Sequence, residues 1–128
     1  MTDVFKQHGA FSWCELMSPD LGAAKSFYAE LFGWAMQDMP AGETTYTVLK
    51  AGEAEVGGMM VTPPEARGAP PHWGCYVTVD DVDATAATAA RLGGRILVTP
   101  TDIPDVGRFC VLQDPQGAVI SAITYLTR

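Results

Sequence analysis

The sequence predicts an α+β fold in which two β-α-β-β-β modules form curved mixed sheets around a cavity. The chain length, an internal repeat and the order of strand and helix patterns predict it. The 128 residues are 48% hydrophobic and 18% charged, which is typical of one globular domain or of two small halves that share a core. A single module would bury one face of its sheet poorly, so two modules are expected to pair, within one chain or across a dimer.

The internal repeat appears when residues 13–20 are written above residues 74–81, an offset of 61 residues. At this offset Cys14 falls on Cys75, Asp20 on Asp81, Ala23 on Ala84, Ala29 on Ala90, Leu31 on Leu92, and Gly33 on Gly94. The offset later becomes 63, which places Val48 on Val111, Leu49 on Leu112 and Val56 on Val119. We infer a duplication with a two-residue insertion in the second copy.

The first module is predicted at residues 10–61 and begins with an alternating strand over Phe11–Met17. In Ser18-Pro19-Asp20, a capping side chain followed by proline at the first helical position indicates a helix start. Apolar residues at i, i+3, i+4 and i+7 then predict a helix that Gly33 ends; they are Ala24, Phe27, Tyr28 and Leu31. Three strands follow, at Trp34–Met39, Thr44–Lys50 and Glu55–Val61.

The second module, residues 72–128, repeats this order with a strand at Trp73–Val79 and a helix from Asp81 to Leu92. Gly93-Gly94 ends the helix, and a tight turn is predicted at residues 114–117. The last three strands are predicted at Arg95–Thr99, Arg108–Leu112 and Ala118–Thr124. Residues 62–71 contain four prolines and are predicted to form a stiff linker, and residues 1–9 an N-terminal extension.

Composition limits the classes of partner. The formal net charge of −7 argues against nucleic acid or an anionic membrane, and it is compatible with a neutral or cationic small molecule. Neither a C-x-x-C nor an H-x-x-x-H pair is present, which excludes the usual structural zinc motifs. We expect a cytoplasmic protein, because the N-terminal residues lack an apolar signal segment and the apolar runs are short.

The three cysteines lie in apolar runs, which predicts buried, reduced thiols. Cys14 and Cys75 alternate onto the side of the strand that faces the helix, so both are expected in the core, together with Cys110 as a third buried thiol. His8 lies in the predicted extension and is expected to have no role.

Three motifs covering the chain from about Ala10 to Thr124 resemble a known superfamily. They are Ser18-Pro19-Asp20-Leu21 leading to Phe27-Tyr28-x-x-Leu31-Phe32-Gly33-Trp34, Val79-Asp80-Asp81-Val82 leading to Arg91-Leu92-Gly93-Gly94, and Leu112-x-Asp114-Pro115-x-Gly117. The resemblance is to the vicinal oxygen chelate superfamily of glyoxalase I, bleomycin-resistance proteins, fosfomycin-resistance enzymes and extradiol dioxygenases. Phe11-x-Trp13-x-Glu15-Leu16 and Pro71-His72-Trp73 are similar to a hydroxylase-like branch.

The resemblance implies four positions at which metal-using members place His, Gln or Glu. In this sequence the positions hold Trp13, Gly58, Gly74 and Ser121, none of which is a suitable ligand. A shift of one or two residues would add only Glu15 and His72, too few for a site. The resemblance therefore implies the fold and its cavity without a metal or another cofactor.

Strand alternation extends these four positions to a set of predicted ligand-binding residues. The set is Trp13, Glu15, Gly58, Met60, His72, Gly74, Tyr76 and Ser121. The glycines are expected to leave room for a flat or bulky guest, and Trp73 is expected to pack in the core because it points away from Gly74.

Glu15 is the sharpest candidate for a functional residue. Burial beside Trp13 would raise the pKa of its carboxyl unless the group is paired, and a raised pKa would suit a catalytic acid or base. Two other roles stay open, in which Glu15 orients a ligand or is a structural carboxylate satisfied by Tyr76, an arginine or backbone N–H groups.

Three functions remain open from the sequence. The first is a homodimeric, metal-free binder of a small aromatic or cationic molecule, as the resemblance to bleomycin-resistance proteins implies. The second is an enzyme of the same fold, a lyase, isomerase or hydroxylase/dioxygenase-like protein, that uses Glu15 or a displaced metal site. The third is an accessory module with a decayed pocket. Fold alone does not choose between them.

Overall fold

The computed structural model describes residues 3–41, 44–64 and 68–126, and its elements confirm the predicted α+β class and the predicted order. The two helices are α1 (Leu21–Phe32) and α2 (Val82–Arg91). The strands are β1 (Phe11–Ser18), β2 (Ala35–Ala41), β3 (Thr44–Ala51), β4 (Ala54–Val61), β5 (His72–Thr78), β6 (Arg95–Ile103), β7 (Gly107–Gln113) and β8 (Val119–Tyr125). No helix among the described residues is long and apolar enough to cross a membrane.

The chain divides into two compact units. Trp13–Trp73 forms the unit called here the first half, and Met1–Ser12 with Gly74–Arg128 forms the second half. The predicted linker, residues 62–71, belongs to the first half, and its residues 65–67 lie outside the described ranges.

The first half contains a four-stranded mixed sheet in the order β2-β3-β4-β1, in which β1 and β4 are parallel and the other neighbours antiparallel. Leu16, Leu49 and Met59 are its most buried apolar side chains, and Tyr28 of α1 is among the residues packed against them. The helix therefore covers the face of the sheet to which Leu16 points.

Helix α1 does not begin as the sequence predicts. Its N-cap is Asp20, whose side chain accepts a hydrogen bond from the Ala23 amide at 3.0 Å, so the predicted cap at Ser18 is wrong. The physical reason is that β1 continues through Ser18, which pairs with Val61, so the first helical residue is Leu21 and both Ser18 and Pro19 precede the cap. The predicted stop is confirmed, because Gly33 adopts the left-handed conformation with φ of 71°.

The second half contains the corresponding sheet, β5-β8-β7-β6, with β5 and β8 parallel. Its core includes a cluster of buried residues, Val79, Val82, Ala86, Cys110 and Ala122. The segment predicted as an N-terminal extension packs on this half: the Gly9 amide donates to the Thr78 carbonyl at 2.8 Å, and the Thr78 hydroxyl donates to the Val4 carbonyl at 2.7 Å. In the same segment, His8 Nδ1 accepts from the Asp80 amide at 3.0 Å.

The strand register reproduces the sequence repeat. Glu15 of β1 is the partner of Gly58 in β4, and Tyr76 of β5 is the partner of Ser121 in β8. These pairs coincide when the first strand is shifted by 61 residues and the last by 63, the two offsets found in the sequence. The duplication therefore extends to the hydrogen-bonding partners of the strands.

The expectation of three buried thiols is wrong for Cys14, which is exposed; Cys75 is partly buried and Cys110 is fully buried. Cys14 shares a sheet face with Leu16, but it lines an open apolar groove instead of lying under the helix. Trp73 lines the same groove and is 38% exposed, so its expected place in the core is also wrong. Its ring instead packs edge-on against Tyr28 and Trp34.

Candidate functional site

The candidate site of the first half begins on β1. Because side chains alternate along a strand, Trp13 and Glu15 point to the face opposite the one on which Leu16 packs under α1. Glu15 is 9% exposed and Trp13 is partly buried. Gly58 is the neighbour of Glu15 on β4. A carboxylate in such a place needs hydrogen-bond donors, since burial of an unpaired charge is costly.

Tyr46 of β3 supplies a donor. Its hydroxyl donates to Glu15 Oε2 at 2.7 Å, and Tyr46 Oη in turn accepts a hydrogen bond from the indole N–H of Trp13 at 2.8 Å. The short O–H···O distance is typical of a hydrogen bond to an ionised carboxylate. The three side chains form one chain of hydrogen bonds that ends on Glu15. One hydrogen-bond partner of this carboxyl is therefore Tyr46, a tyrosine of its own half, which was not among the partners considered from the sequence.

The ring of Tyr46 packs directly on Gly58. A Cβ built on Gly58 would lie 2.1 Å from Tyr46 Oη and 2.3 Å from Cε1 and Cζ, so the ring rests directly on this glycine. The prediction that Gly58 leaves room for a ligand is therefore wrong, because the Tyr46 ring fills this space. At Gly74 no atom of the described residues lies within 4 Å of the Cβ position.

The residues at the superfamily positions of the first half do not fit a divalent ion. The indole nitrogen of Trp13 is a donor and is bonded to Tyr46, and Gly58 offers no side chain while its Cβ direction is blocked by the tyrosine ring. Within residues 3–41, 44–64 and 68–126, His, Cys, Asp and Glu form no group of three or more that could hold a metal ion.

In the second half the predicted residue Tyr76 packs against an aromatic ring that the sequence did not single out. Tyr76 is 8% exposed and its ring packs tilted against Phe109, with 6.4 Å between the centroids. Ser121, 9% exposed, is the β8 partner of Tyr76. In the repeat, Tyr76 corresponds to Glu15 and Phe109 corresponds to Tyr46.

Of the residues predicted in the first half, the structure joins Trp13, Glu15 and Gly58 through Tyr46. Met60 lies two residues further along β4, paired with Met17 of β1. His72 is exposed at the first residue of β5, and its Nδ1 lies 2.9 Å from the Pro70 carbonyl, to which it donates. The hydrogen bond of His72 is thus a local one.

Sequence reasoning missed Tyr46. Its ring reaches Glu15 and Trp13 because β3 pairs with β4, a contact between residues 31 and 33 positions apart. A signal was nevertheless present, since the repeat offset of 63 aligns Tyr46 with Phe109, an aromatic residue in both copies.

A family model of the Glyoxalase/Bleomycin resistance protein/Dioxygenase superfamily matches residues 10–121. The chain belongs to this superfamily. The match covers both halves, which confirms the resemblance found in the motifs.

Two relatives are similar to this chain over most of the chain's length. "Putative glyoxylase CFP32" of Mycobacterium tuberculosis is 48% identical over 121 residues, 94% of this chain and 46% of the relative. "Anthracycline biosynthesis protein DnrV" of Streptomyces peucetius is 34% identical over 126 residues, 88% of this chain and 46% of the relative. The chain thus spans about half the length of the curated relatives it matches.

Solved structures of the superfamily share the fold. Methylmalonyl-CoA epimerase from Mycobacterium tuberculosis has a TM-score of 0.66 at 16% identity, covering 90% of this chain and 86% of that chain. The Streptomyces coelicolor epimerase E43Q, in complex with 2-nitronate-propionyl-CoA, has a TM-score of 0.68 at 18% identity, covering 94% of this chain and all of that chain. At this level of identity the likeness concerns the fold alone.

Proposed function

We propose that this glyoxalase-like protein binds a small aromatic or cationic molecule at the face that carries Trp13, Tyr46 and Glu15, without the divalent ion of metal-using superfamily members. The observation that carries the proposal is the chain of hydrogen bonds from the Trp13 indole through Tyr46 to Glu15. It holds a carboxylate among aromatic rings, an arrangement that attracts a cation and packs against a flat ring.

Two further observations support this ligand class. The net charge of −7 favours the approach of cations over anions. The Streptomyces relative is named as an anthracycline biosynthesis protein, and anthracyclines are polycyclic aromatic compounds. We therefore place aromatic molecules with a positively charged group first among the candidate ligands.

A charge series on one ring system tests the proposal. Binding of 1-naphthylmethylammonium, 1-naphthylmethanol and 1-naphthoate is measured by calorimetry in buffer containing EDTA. We expect the cation to bind about tenfold more tightly than the alcohol and the anion to bind weakest, because one charged contact contributes on the order of 1 to 2 kcal/mol. Glu15→Gln should remove the preference for the cation.

The matched control is Glu53→Gln, which removes the same charge from an exposed position of the same half and should leave the preference unchanged. Equal binding of the three compounds by the wild-type protein would contradict the proposed ligand class. Stoichiometric Fe, Mn, Ni or Zn in protein purified without chelators would overturn the metal-free part of the proposal.

The alternative is an enzyme of the same superfamily in which Glu15 moves a proton. The burial of this carboxyl beside a hydroxyl donor favours it. Recovery of bound compounds unchanged and without deuterium after incubation in D2O would favour binding alone, whereas exchange of a carbon-bound hydrogen that Glu15→Gln abolishes would favour the enzyme.

We also propose that the protein assembles as a homodimer. Helix α1 supports this, because Phe27, Leu31 and Phe32 are each more than half exposed, at 59%, 56% and 58%. Contiguous exposed apolar surface of this kind often marks a protein interface. The mass in solution, measured by light scattering, tests it: a monomeric mass would contradict the assembly.

A further inference from the structure

The direction of the hydrogen bonds around Tyr46 is fixed by chemistry. An indole nitrogen can only donate, so the Tyr46 oxygen accepts from Trp13 and has its own proton to give. That proton is directed to Glu15 Oε2 at 2.7 Å. Trp13 thereby fixes the hydroxyl with its proton toward the carboxylate.

This direction favours the ionised state of Glu15. Either oxygen of an ionised carboxylate accepts strongly from the Tyr46 hydroxyl, whereas a protonated carboxyl accepts more weakly through its carbonyl oxygen. The arrangement of Trp13 and Tyr46 therefore stabilises Glu15 as an anion, because hydrogen bonds to the charged form favour that form.

Gly58 determines where this hydroxyl lies. A Cβ at this position would overlap the outer atoms of the Tyr46 ring, Oη, Cζ and Cε1. These atoms belong to the far end of a side chain, so a methyl group at residue 58 can be accommodated if the ring swings away from the sheet. Such a movement would separate the hydroxyl from Glu15 while leaving the backbone of β4 in place.

The same half contains a natural control. Trp73 donates its indole N–H to the Tyr28 hydroxyl at 3.2 Å, which repeats the Trp13–Tyr46 pair at an exposed position. Within the described residues no carboxylate accepts a hydrogen bond from Tyr28. Removing the Tyr28 hydroxyl thus deletes the same kind of indole–phenol bond without touching Glu15.

We propose that Tyr46 is a positioning residue that holds Glu15 as an ionised acceptor, so that the site selects ligands carrying a positively charged group. The selection part rests on the proposed function. The positioning part concerns only residues of the first half and can be measured without any ligand.

The positioning part is tested by following the carboxyl titration of Glu15 with ¹³C NMR in protein labelled at glutamate. In Tyr46→Phe the midpoint should rise by about one pH unit, because a lost hydrogen bond to a charged group is worth on the order of one such unit. Gly58→Ala should raise it in the same direction with the hydroxyl still present, and Tyr28→Phe should leave it unchanged.

A midpoint that is the same in wild type and in folded Tyr46→Phe overturns the proposal, as does an equal rise in Tyr28→Phe. Folding of each variant is checked by circular dichroism, and Gly58→Ala keeps the test decisive if Tyr46→Phe does not fold.

The selection part is tested with 1-naphthylmethylammonium and 1-naphthylmethanol. Tyr46→Phe should lower the ratio of their affinities severalfold, and an unchanged ratio overturns selection through Tyr46. If the Glu15 midpoint shifts but wild-type protein binds neither compound, the proposed function fails together with the selection part, whereas the role of Tyr46 toward Glu15 is upheld.

Discussion

In the first half Tyr46 lies between a buried carboxylate and an indole N–H, whereas Phe109, at the equivalent position of the second half, packs against the ring of Tyr76. The backbone pairing is the same in both, since Glu15 is opposite Gly58 as Tyr76 is opposite Ser121. The duplicated strands therefore place the residues at the same positions, while the side chains have diverged into a polar network in one half and an aromatic pair in the other.

The helices of the two halves differ in how deeply they are buried. No residue of α1 is buried, whereas α2 buries Val82 and Ala86. Each helix is nevertheless joined to its sheet by an ion pair, Lys25 with Asp38 at 2.9 Å in the first half and Asp83 with Arg108 at 2.9 Å in the second.

Among these comparisons the largest effect is expected at Gly57, where the first half has a glycine in close contact with the backbone of β1. A Cβ on Gly57 would lie 2.3 Å from the Cys14 carbonyl oxygen, which is backbone and cannot swing aside, whereas the repeat places Ile120 at this position in the second half. Gly57→Ala should therefore lower the free energy of unfolding by about 3 kcal/mol, measured by urea denaturation, because a rigid overlap forces the strands apart.

The neighbouring Gly58→Ala is the matched control. It meets only the Tyr46 ring, so its cost should be on the order of 1 kcal/mol. Equal destabilisation by the two substitutions would contradict this difference, because it would mean that the Cys14 carbonyl yields to a methyl group as easily as the Tyr46 ring does.

The two halves also differ at the equivalent positions Cys14 and Cys75. Cys14 is exposed, Cys75 is partly buried, and burial raises the pKa of the Cys110 thiol. Iodoacetamide should therefore modify Cys14 first and Cys110 last, with rates about tenfold or more apart, because a buried thiol reacts only after local or global opening.

Peptide mass spectrometry at successive times gives the order, and unfolding in urea should bring the three rates together. Faster labelling of Cys75 than of Cys14 would show that the exposure of the two equivalent strands is reversed in solution.

The smallest effect is expected from acid, through the helix–sheet ion pairs. Hydrogen bonds from Lys25 and Thr47 lower the pKa of Asp38, and the hydrogen bond from Arg108 lowers the pKa of Asp83. A carboxyl whose pKa is lower in the folded state contributes stability above its ordinary value of 3.8, and the contribution is lost as the pH falls through the folded value.

Urea midpoints at pH 5, 4 and 3 should thus fall less steeply in Asp38→Asn and Asp83→Asn than in wild type, and by a small amount because both pairs are exposed. Glu53→Gln, at an exposed turn position, is the control. A steeper fall in either aspartate variant than in wild type would contradict the assigned sign.

The features that could be predicted from the sequence are those that depend on near neighbours. Alternation over β1 places Glu15 opposite Leu16, and Gly33 ends α1 because its backbone is left-handed. Prediction failed where two local signals competed: Ser18 and Asp20 are both capping residues, and only the pairing of Ser18 with Val61 leaves the cap to Asp20.

The duplicated β-α-β-β-β order and the face on which Glu15 lies can be read from the chain alone. That Tyr46 rests on Gly58 and joins Trp13 to Glu15 follows only from the three-dimensional arrangement of the strands. Periodicity and turn chemistry act over a few residues, so they can be read along the chain. The Tyr46 contacts depend on how β3 aligns with β4, and that register is set by packing of residues that are far apart in sequence.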